Sequence, residues 1–378
     1  MSHDAGLYEF GVFLLKKGEM MMKRMIAMLL CAALCVGSMT ACSEQQPKEE
    51  TKQETTQETP EQATGEETQA EAETEISENN HYPVTISTFN YAKEPVEYTF
   101  EKAPERVLTF WSNSLETMLA LGLGDKIVCA VGMDEESVLP ELKPELEKMK
   151  NTEYYNEFKD SNAAMSKETA IMLEPDFILA WKSSFSDKTI GDVGYWHENG
   201  VGTYMALNSN DISEKRTVEN EYTDILTIGK IFDVEEKAQA LVDNMKAEVE
   251  KVTSETKDQP KKSVLIIELM KDKIWTYDET YLAGDMVKMM GGDLINTERE
   301  IGAEHIVELD PDVLIVIGNE EKKQAVMENP AYASLKSVQN GNVTAIDLSE
   351  VYTSGVRTIY GLQHIGQALY PELYPAEQ

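Results

Sequence analysis

Glu168-Thr-Ala-Ile-Met-Leu-Glu-Pro-Asp-Phe-Ile-Leu-Ala (168–180) and Glu304-His-Ile-Val-Glu-Leu-Asp-Pro-Asp-Val-Leu-Ile-Val (304–316) follow one plan. Each has a glutamate seven residues ahead of Pro-Asp, apolar residues between, and an apolar run after. Pro175 and Pro311 stop helices, since proline lacks the amide donor and clashes with the preceding turn. Asp176 and Asp312 then open strands. The second unit stands 136 residues beyond the first at both the glutamate and the proline. One such unit could arise by chance; two, one in each half, argue for two similar lobes.

Outward from these units, short apolar runs alternate with amphipathic ones, the pattern of an α/β fold. Strands are expected at Val96–Phe100, Arg106–Phe110, Ile127–Val131, Phe177–Trp181 and Gly202–Ala206, then at Val264–Glu268, Lys273–Tyr277, Val313–Ile317 and Val343–Ile346. Most are β-branched or aromatic throughout, as strands covered on both faces should be. Helices are expected at Ser114–Leu121, Lys167–Leu173, Val218–Ile231, Tyr281–Met290 and Thr358–Leu369. Between the two strand sets, Asp233-Val-Glu-Glu reads as a capping box. Ala238, Leu241, Val242, Met245 and Val249 continue it at helical spacing to about Glu255. At 1.5 Å per residue this helix is ~33 Å long, a rod that could join two lobes.

The N-terminal region reads differently. Lys23-Arg24 and the apolar run Met25–Val36 form the n- and h-regions of an export signal, and the run is too short to span a bilayer. Gly37-Ser-Met-Thr-Ala-Cys42 resembles the lipobox of bacterial lipoproteins, which implies cleavage before Cys42 and a lipid on that cysteine. Residues 1–20 carry Asp4, Glu9 and Glu19 and do not suit a signal peptide; translation is expected to begin at Met21 or Met22. Residues 43–80 hold 12 acidic residues, two lysines and, alanines apart, one aliphatic side chain, Ile76. Such a segment cannot bury enough surface to fold and serves as a tether of roughly 35 Å. The expected organisation is a signal over 1–41, lipidated Cys42 and tether over 42–80, an N-terminal lobe over 81–232, an inter-lobe helix over 233–256 and a C-terminal lobe over 257–378.

Composition excludes several functions. With 68 acidic against 34 basic residues, a net charge of −34, the surface repels phosphate backbones and does not suit nucleic acid. A hydrophobic content of 42% supports real cores. Of Cys31, Cys35, Cys42 and Cys129, only the last two outlast signal cleavage, and no pair has metal or redox spacing. Gly122-Leu-Gly124 and Gly200-Val-Gly202 lack the third glycine of a dinucleotide loop, and no phosphate loop, nucleophile elbow or zinc-protease motif is present. His81, His197, His305 and His364 are scattered, so neither a directly bound metal nor a cofactor is expected. An extracellular hydrolase would need a nucleophile–base pair that the sequence does not display; a surface-tethered adhesin or scaffold would suit the tether.

Together, Arg106-Val-Leu-Thr-Phe, Leu115-Glu-Thr-Met-Leu-Ala-Leu-Gly-Leu-Gly-Asp-Lys-Ile-Val, the two Pro-Asp units, the middle helix, Asn329-Pro-Ala-Tyr-Ala-Ser-Leu before Gly341-Asn-Val, and Gly366-Gln-Ala-Leu-Tyr-Pro-Glu resemble one family. It is that of the helix-hinged (class III) substrate-binding lipoproteins of ABC importers for ferric siderophores, haem and cobalamin, and the likeness covers about Tyr82 to Leu373. The resemblance implies two Rossmann-like lobes joined by one long helix, with the ligand cleft between them. It also implies no enzymatic activity, a monomer anchored by lipid on the extracytoplasmic face of a Gram-positive bacterial membrane, and an ABC permease dimer with its ATPase subunits as partner. A ferric siderophore is the first ligand expected, with cobalamin or haem as the alternative.

In such a protein the ligand lies at the C-terminal ends of the strands, where flat aromatics stack on chelate rings and cations offset anionic charge. The residues expected there are Trp111, Asn113, Trp181, Lys182, Trp275, Tyr277, Asn319, Tyr352 and Arg357. Packing roles compete for the tryptophans, and a structural ion pair competes for Arg357. The resemblance further implies that Glu168 and Glu304, one per lobe, pair with arginines of the permease. The competing role for these two is stabilisation of a helix N-terminus.

Overall fold

The computed structural model describes residues 81–149, 154–155, 165–209 and 215–374. The expected signal peptide, Cys42 and the tether lie outside the described residues. The described chain opens with a hairpin of β1 (Val84–Phe89) and β2 (Pro95–Phe100). It continues through β3 (Val107–Phe110), α1 (Trp111–Ala120), β4 (Ile127–Val131), β5 (Tyr154–Tyr155), α2 (Lys167–Met172), β6 (Phe177–Ala180), α3 (Val193–Glu198), β7 (Gly202–Met205) and α4 (Val218–Ile231). β3 to β7 form a fully parallel sheet in the order β5-β4-β3-β6-β7. α5 (Glu235–Thr256) leads to the second half: β8 (Ser263–Leu269), β9 (Ile274–Thr276), α6 (Leu282–Met289), β10 (Asp293–Leu294), β11 (Glu300–Ile301), α7 (Ala303–Leu309), β12 (Val313–Ile317), α8 (Glu320–Met327), β13 (Val343–Ile346) and α9 (Thr358–Leu369). The second sheet runs β11-β9-β8-β12-β13, with β10 paired to β8. β9 is antiparallel to both neighbours, so this lobe is mixed rather than purely parallel. No helix of the described residues is long and apolar enough to cross a membrane.

Alternate side chains of each sheet enter different cores. Val107, Phe177 and Leu179 face one way; Leu108, Phe110, Ile178 and Ala180 face the other, around Phe185 and Trp196. In the second sheet Ile266, Val313 and Ile315 share the first core, while Leu265, Ile267, Leu314 and Val316 bury against Ile306, Val326 and Leu335. The first core is continuous across both sheets because Ala238, Val242, Met245 and Val252 of α5 lie in it. The division into lobes is therefore one of sheets, and the helix between them is buried along one face. β1 carries buried Val84, Ile86 and Thr88 at period two, a strand signal that the apolar-run criterion passes over.

The capping box expected at Asp233 does not form. Asp233 sits in the left-handed region (φ 56°), Val234 is the N-cap without a side-chain bond, and the Asp233 carboxylate is turned towards His81 instead.

Both Pro-Asp units fold alike. Glu174 and Asp310, just before the prolines, take left-handed conformations (φ 47° and 39°) that end the helices. Each aspartate then clips the first strand of its own sheet. The Asp176 carboxylate accepts from the Glu105 and Arg106 amides, both at 2.8 Å. The Asp312 carboxylate accepts from the Ser263 amide (2.9 Å), the Ser263 hydroxyl (2.8 Å) and Lys336 Nζ (3.0 Å). These donors, the Ser263 amide foremost, hold the Asp312 carboxyl down at about 2, against an ordinary 3.8. A depressed carboxyl stabilises the fold above its unfolded value and loses that contribution as pH falls through its folded value. Asp312→Asn is accordingly expected to cost about 1 kcal/mol at neutral pH, the scale of one net hydrogen bond at a partly solvated site. Urea midpoints of variant and parent should converge as pH falls from 3.8 towards 2; a constant gap would rule out the charge as the cause.

Candidate functional site

Trp111 follows β3 directly and Trp181 follows β6 directly, so both stand at the C-terminal ends of neighbouring strands. Their rings stack, with centroids 5.0 Å apart and planes 29° apart. Trp181 Nε1 donates to Asn113 Oδ1 at 2.7 Å, which fixes the indole's rotation. Trp111 is the first residue of α1, three residues ahead of the expected start at Ser114, and holds φ 68°. The left-handed region is costly for a bulky side chain, of order 1–3 kcal/mol, and such strain gathers at ligand sites.

The stack continues into the other lobe. Tyr352 lies 5.9 Å from Trp181, centroid to centroid. The Arg216 guanidinium covers the rings of Tyr352 (5.0 Å) and Tyr281 (5.7 Å), and its backbone amide donates to Thr280 O at 2.8 Å. Tyr281 meets Tyr277 edge-on at 5.2 Å. Arg299 sits over Trp275, Tyr277 and Tyr281, 4.6–4.7 Å from each ring. Burial pushes the Tyr277 hydroxyl's pKa up, as does its bond to Glu268, so it stays a neutral donor. The result is one seam of aromatic faces and two guanidinium groups that crosses from lobe to lobe.

Five of the residues expected in the cleft, Trp111, Trp181, Trp275, Tyr277 and Tyr352, thus meet along this seam, and Asn113 supports it from beneath. The other three do not join it. Lys182 Nζ points to Tyr91, 5.3 Å from that ring. Asn319 caps α8, accepting from the Lys322 amide at 3.1 Å. Arg357 is not an open cation: its Nε and Nη2 bind Glu116 at 2.5 and 2.7 Å, and it also reaches Ser137 O and Ser349 Oγ. Glu116 is fully buried, so this pair is a structural tie between the lobes. Sequence reasoning missed Arg216, Tyr281 and Arg299. Nothing local distinguishes them from surface arginines and a helix-capping tyrosine.

A second tie lies beside the first. The buried Glu221 carboxylate of α4 accepts from Asn208 Nδ2 (2.7 Å) and from the Ser354 and Gly355 amides (3.1 and 2.7 Å). Gly355 has φ 54°, and a Cβ there would stand 2.7 Å from Thr117 Oγ1 and 2.9 Å from Asn113 O, so only glycine lets this turn close on α1. The ties and the shared core hold the two halves of the seam at a set spacing.

A groove of about 680 Å³ lies beside the β8–β9 hairpin, lined by Lys271, Asp272, Lys273, Glu298, Glu300 and His305 among others. Its mixed charges and hairpin walls offer no stacking faces, and it shares no residue with the seam. Glu168 and Glu304 occupy matching places, each the second residue of its helix and exposed. Gly302, Ala303 and His305 beside Glu304 line the groove at the β8–β9 hairpin.

The sequence profile of the family described as periplasmic binding protein matches residues 107–349. Among curated proteins, an ABC transporter substrate-binding lipoprotein of Bacillus subtilis (YvrC), itself called uncharacterized, is 26% identical over 301 residues, 78% of this chain and 87% of that protein. The petrobactin-binding protein YclQ of the same organism is 26% identical over 281 residues, 67% of this chain and 78% of its own. Among solved structures, a periplasmic binding protein from Veillonella parvula superposes with a TM-score of 0.71 at 29% identity, covering 78% of this chain and 93% of that one.

Proposed function

Since the chain belongs to the periplasmic binding protein family, we propose that it captures ligand for an ABC importer, and that the ligand is a ferric siderophore, an anionic chelate of iron(III). Members of this family bind and hand over ligands rather than turn them over, and the chain is not an enzyme. The observation that carries the ligand class is the placement of Arg216 and Arg299 on aromatic faces along the inter-lobe seam. Guanidinium groups on ring faces offset the charge of an anionic chelate while the rings stack on its flat donors, and Arg299 is steadied there by an Nη1–H bond to Thr276 O. The affinity of YclQ for petrobactin, given by its name, is consistent with this class. Cys42 as lipid attachment, the extracytoplasmic face as location, and Glu168 and Glu304 as permease contacts complete the reading. The ligand set is Trp111, Trp181, Trp275, Tyr277, Tyr281, Tyr352, Arg216 and Arg299.

Cobalamin is the second reading, favoured by the convergence of six aromatic rings on one seam, which suits a corrin as well as a chelate. Quenching of tryptophan fluorescence by ferric siderophores of differing charge, by haemin and by cobalamin separates them. For a ferric siderophore, Arg216→Ala and Arg299→Ala are each expected to weaken binding by ~1.5–3 kcal/mol, the range of a hydrogen bond to a charged group. Affinity for cobalamin that survives both changes but falls in Trp181→Ala would transfer the assignment to cobalamin. Failure of every metal chelate to bind would overturn both.

A further inference from the structure

His81, at the root of the N-terminal lobe, approaches two carboxylates of the turn that opens α5. Its Nδ1 lies 3.3 Å from Asp233 Oδ1 and 3.5 Å from Glu235 Oε1. Its Nε2 lies 2.7 Å from the carbonyl oxygen of Lys230. A carbonyl can only accept, so Nε2 carries the proton, and in a neutral imidazole Nδ1 then presents its lone pair to two groups that are themselves only acceptors. A dication between the three groups would be met by a lone pair or a carboxylate oxygen from each. We propose that His81, Asp233 and Glu235 form a site for a first-row dication of the zinc class.

The geometry suits it. Ligands ~2.0–2.2 Å from a tetrahedral centre stand ~3.3–3.6 Å apart, which is the spacing of Nδ1 to each carboxylate oxygen. All three ligand atoms lie within 4.8 Å of one another, and the two carboxylates are half exposed, free to close the third edge. The Nε2–H bond to a backbone carbonyl is the outer-shell contact that metal-bound histidines make to fix tautomer and ring orientation. One imidazole and two carboxylates carry no thiolate softness, so zinc, nickel or cobalt fits better than copper(I). A dication there would pin the first described residues, 149 residues away from Lys230 in sequence, to the start of the inter-lobe helix. The site shares no residue with the aromatic seam.

The test uses tag-free, chelator-stripped protein titrated with Zn²⁺ by calorimetry and with Co²⁺ by visible absorption. One equivalent should bind, with the intense bands of low-symmetry four-coordinate Co²⁺ and a rise in Tm on adding Zn²⁺. His81→Gln, and separately Asp233→Asn with Glu235→Gln, should weaken Zn²⁺ at least by the about tenfold that loss of even an outer-shell partner costs. Both variants should keep the parent's circular dichroism and its affinity for whatever chelate the seam binds. Equal Zn²⁺ binding in parent and variants would overturn the site, as would absence of stoichiometric binding. In the latter case an imidazolium paired with the two carboxylates accounts for the geometry.

Discussion

Arg357→Ala is expected to lower the free energy of unfolding by about 3–5 kcal/mol, the cost of removing one partner from a buried ion pair. The size follows from what is left behind. Glu116 is fully buried in α1, and without Arg357 its carboxylate keeps the Leu139 amide (2.9 Å) as a donor but loses the positive charge that faces it. The same change frees Ser137 O and Ser349 Oγ and removes a tie between the N-terminal lobe and the turn before α9. Replacing both ends by apolar residues of similar volume, Glu116→Leu with Arg357→Met, should recover most of the loss, since two well-packed apolar groups need no compensation. Urea unfolding of the three variants checks this. A cost under about 1 kcal/mol for Arg357→Ala would mean that the pair behaves as a solvated surface bridge. If Arg357→Ala, measured where it is folded, also weakens chelate binding beyond twofold, Arg357 belongs to the ligand set after all.

Glu168→Ala combined with Glu304→Ala is expected to abolish uptake and permease-stimulated ATP hydrolysis while ligand affinity and Tm stay near the parent's. The two carboxylates are equivalent by construction of the repeat: each is second in its helix, each is exposed, and neither makes an ion pair among the described residues. Their effect on the fold is limited to the helix dipole, about 0.3–1 kcal/mol apiece. Placed one per lobe, they would seat the protein on the permease as two anchors. Loss of one lets that lobe swing, so the single variants should together account for less than the double. Normal uptake in cells carrying the double variant, or loss of ligand binding in the purified protein, would refute the docking role.

The elements and their order were legible in the chain itself. β4, β12, β13, α4 and α9 stand at the expected residues, and the other expected strands differ by one or two residues at their ends. The reason is local: a strand buried on both faces must be apolar at every position, and Pro-Asp stops a helix whatever surrounds it. Among the described strands, β1, β5, β10 and β11 escaped. β1 alternates rather than running apolar, and β5, β10 and β11 are two residues each, too short to carry a period of their own.

The aromatic half of the site was also legible, because Trp111 and Trp181 follow strands whose ends topology sends to one edge. Its cations were not. Arg357 was expected in the cleft and Arg216 and Arg299 were not, because nothing in the residues beside them along the chain tells where each side chain goes. Arg357 is drawn out of the site by Glu116, 241 residues away, while the other two lie over rings contributed by separate elements. His81 and Asp233, likewise, offer no ligand spacing along the chain and come together only because Tyr82 and His81 bond the last carbonyls of α4. Hydrophobic burial repeats with the local period of each element, so sequence by itself determines where the elements lie and which of their faces are buried. A charge finds its partner through the packing of elements far apart in sequence, and only the tertiary structure decides which arginine ties the lobes together and which lies over aromatic rings.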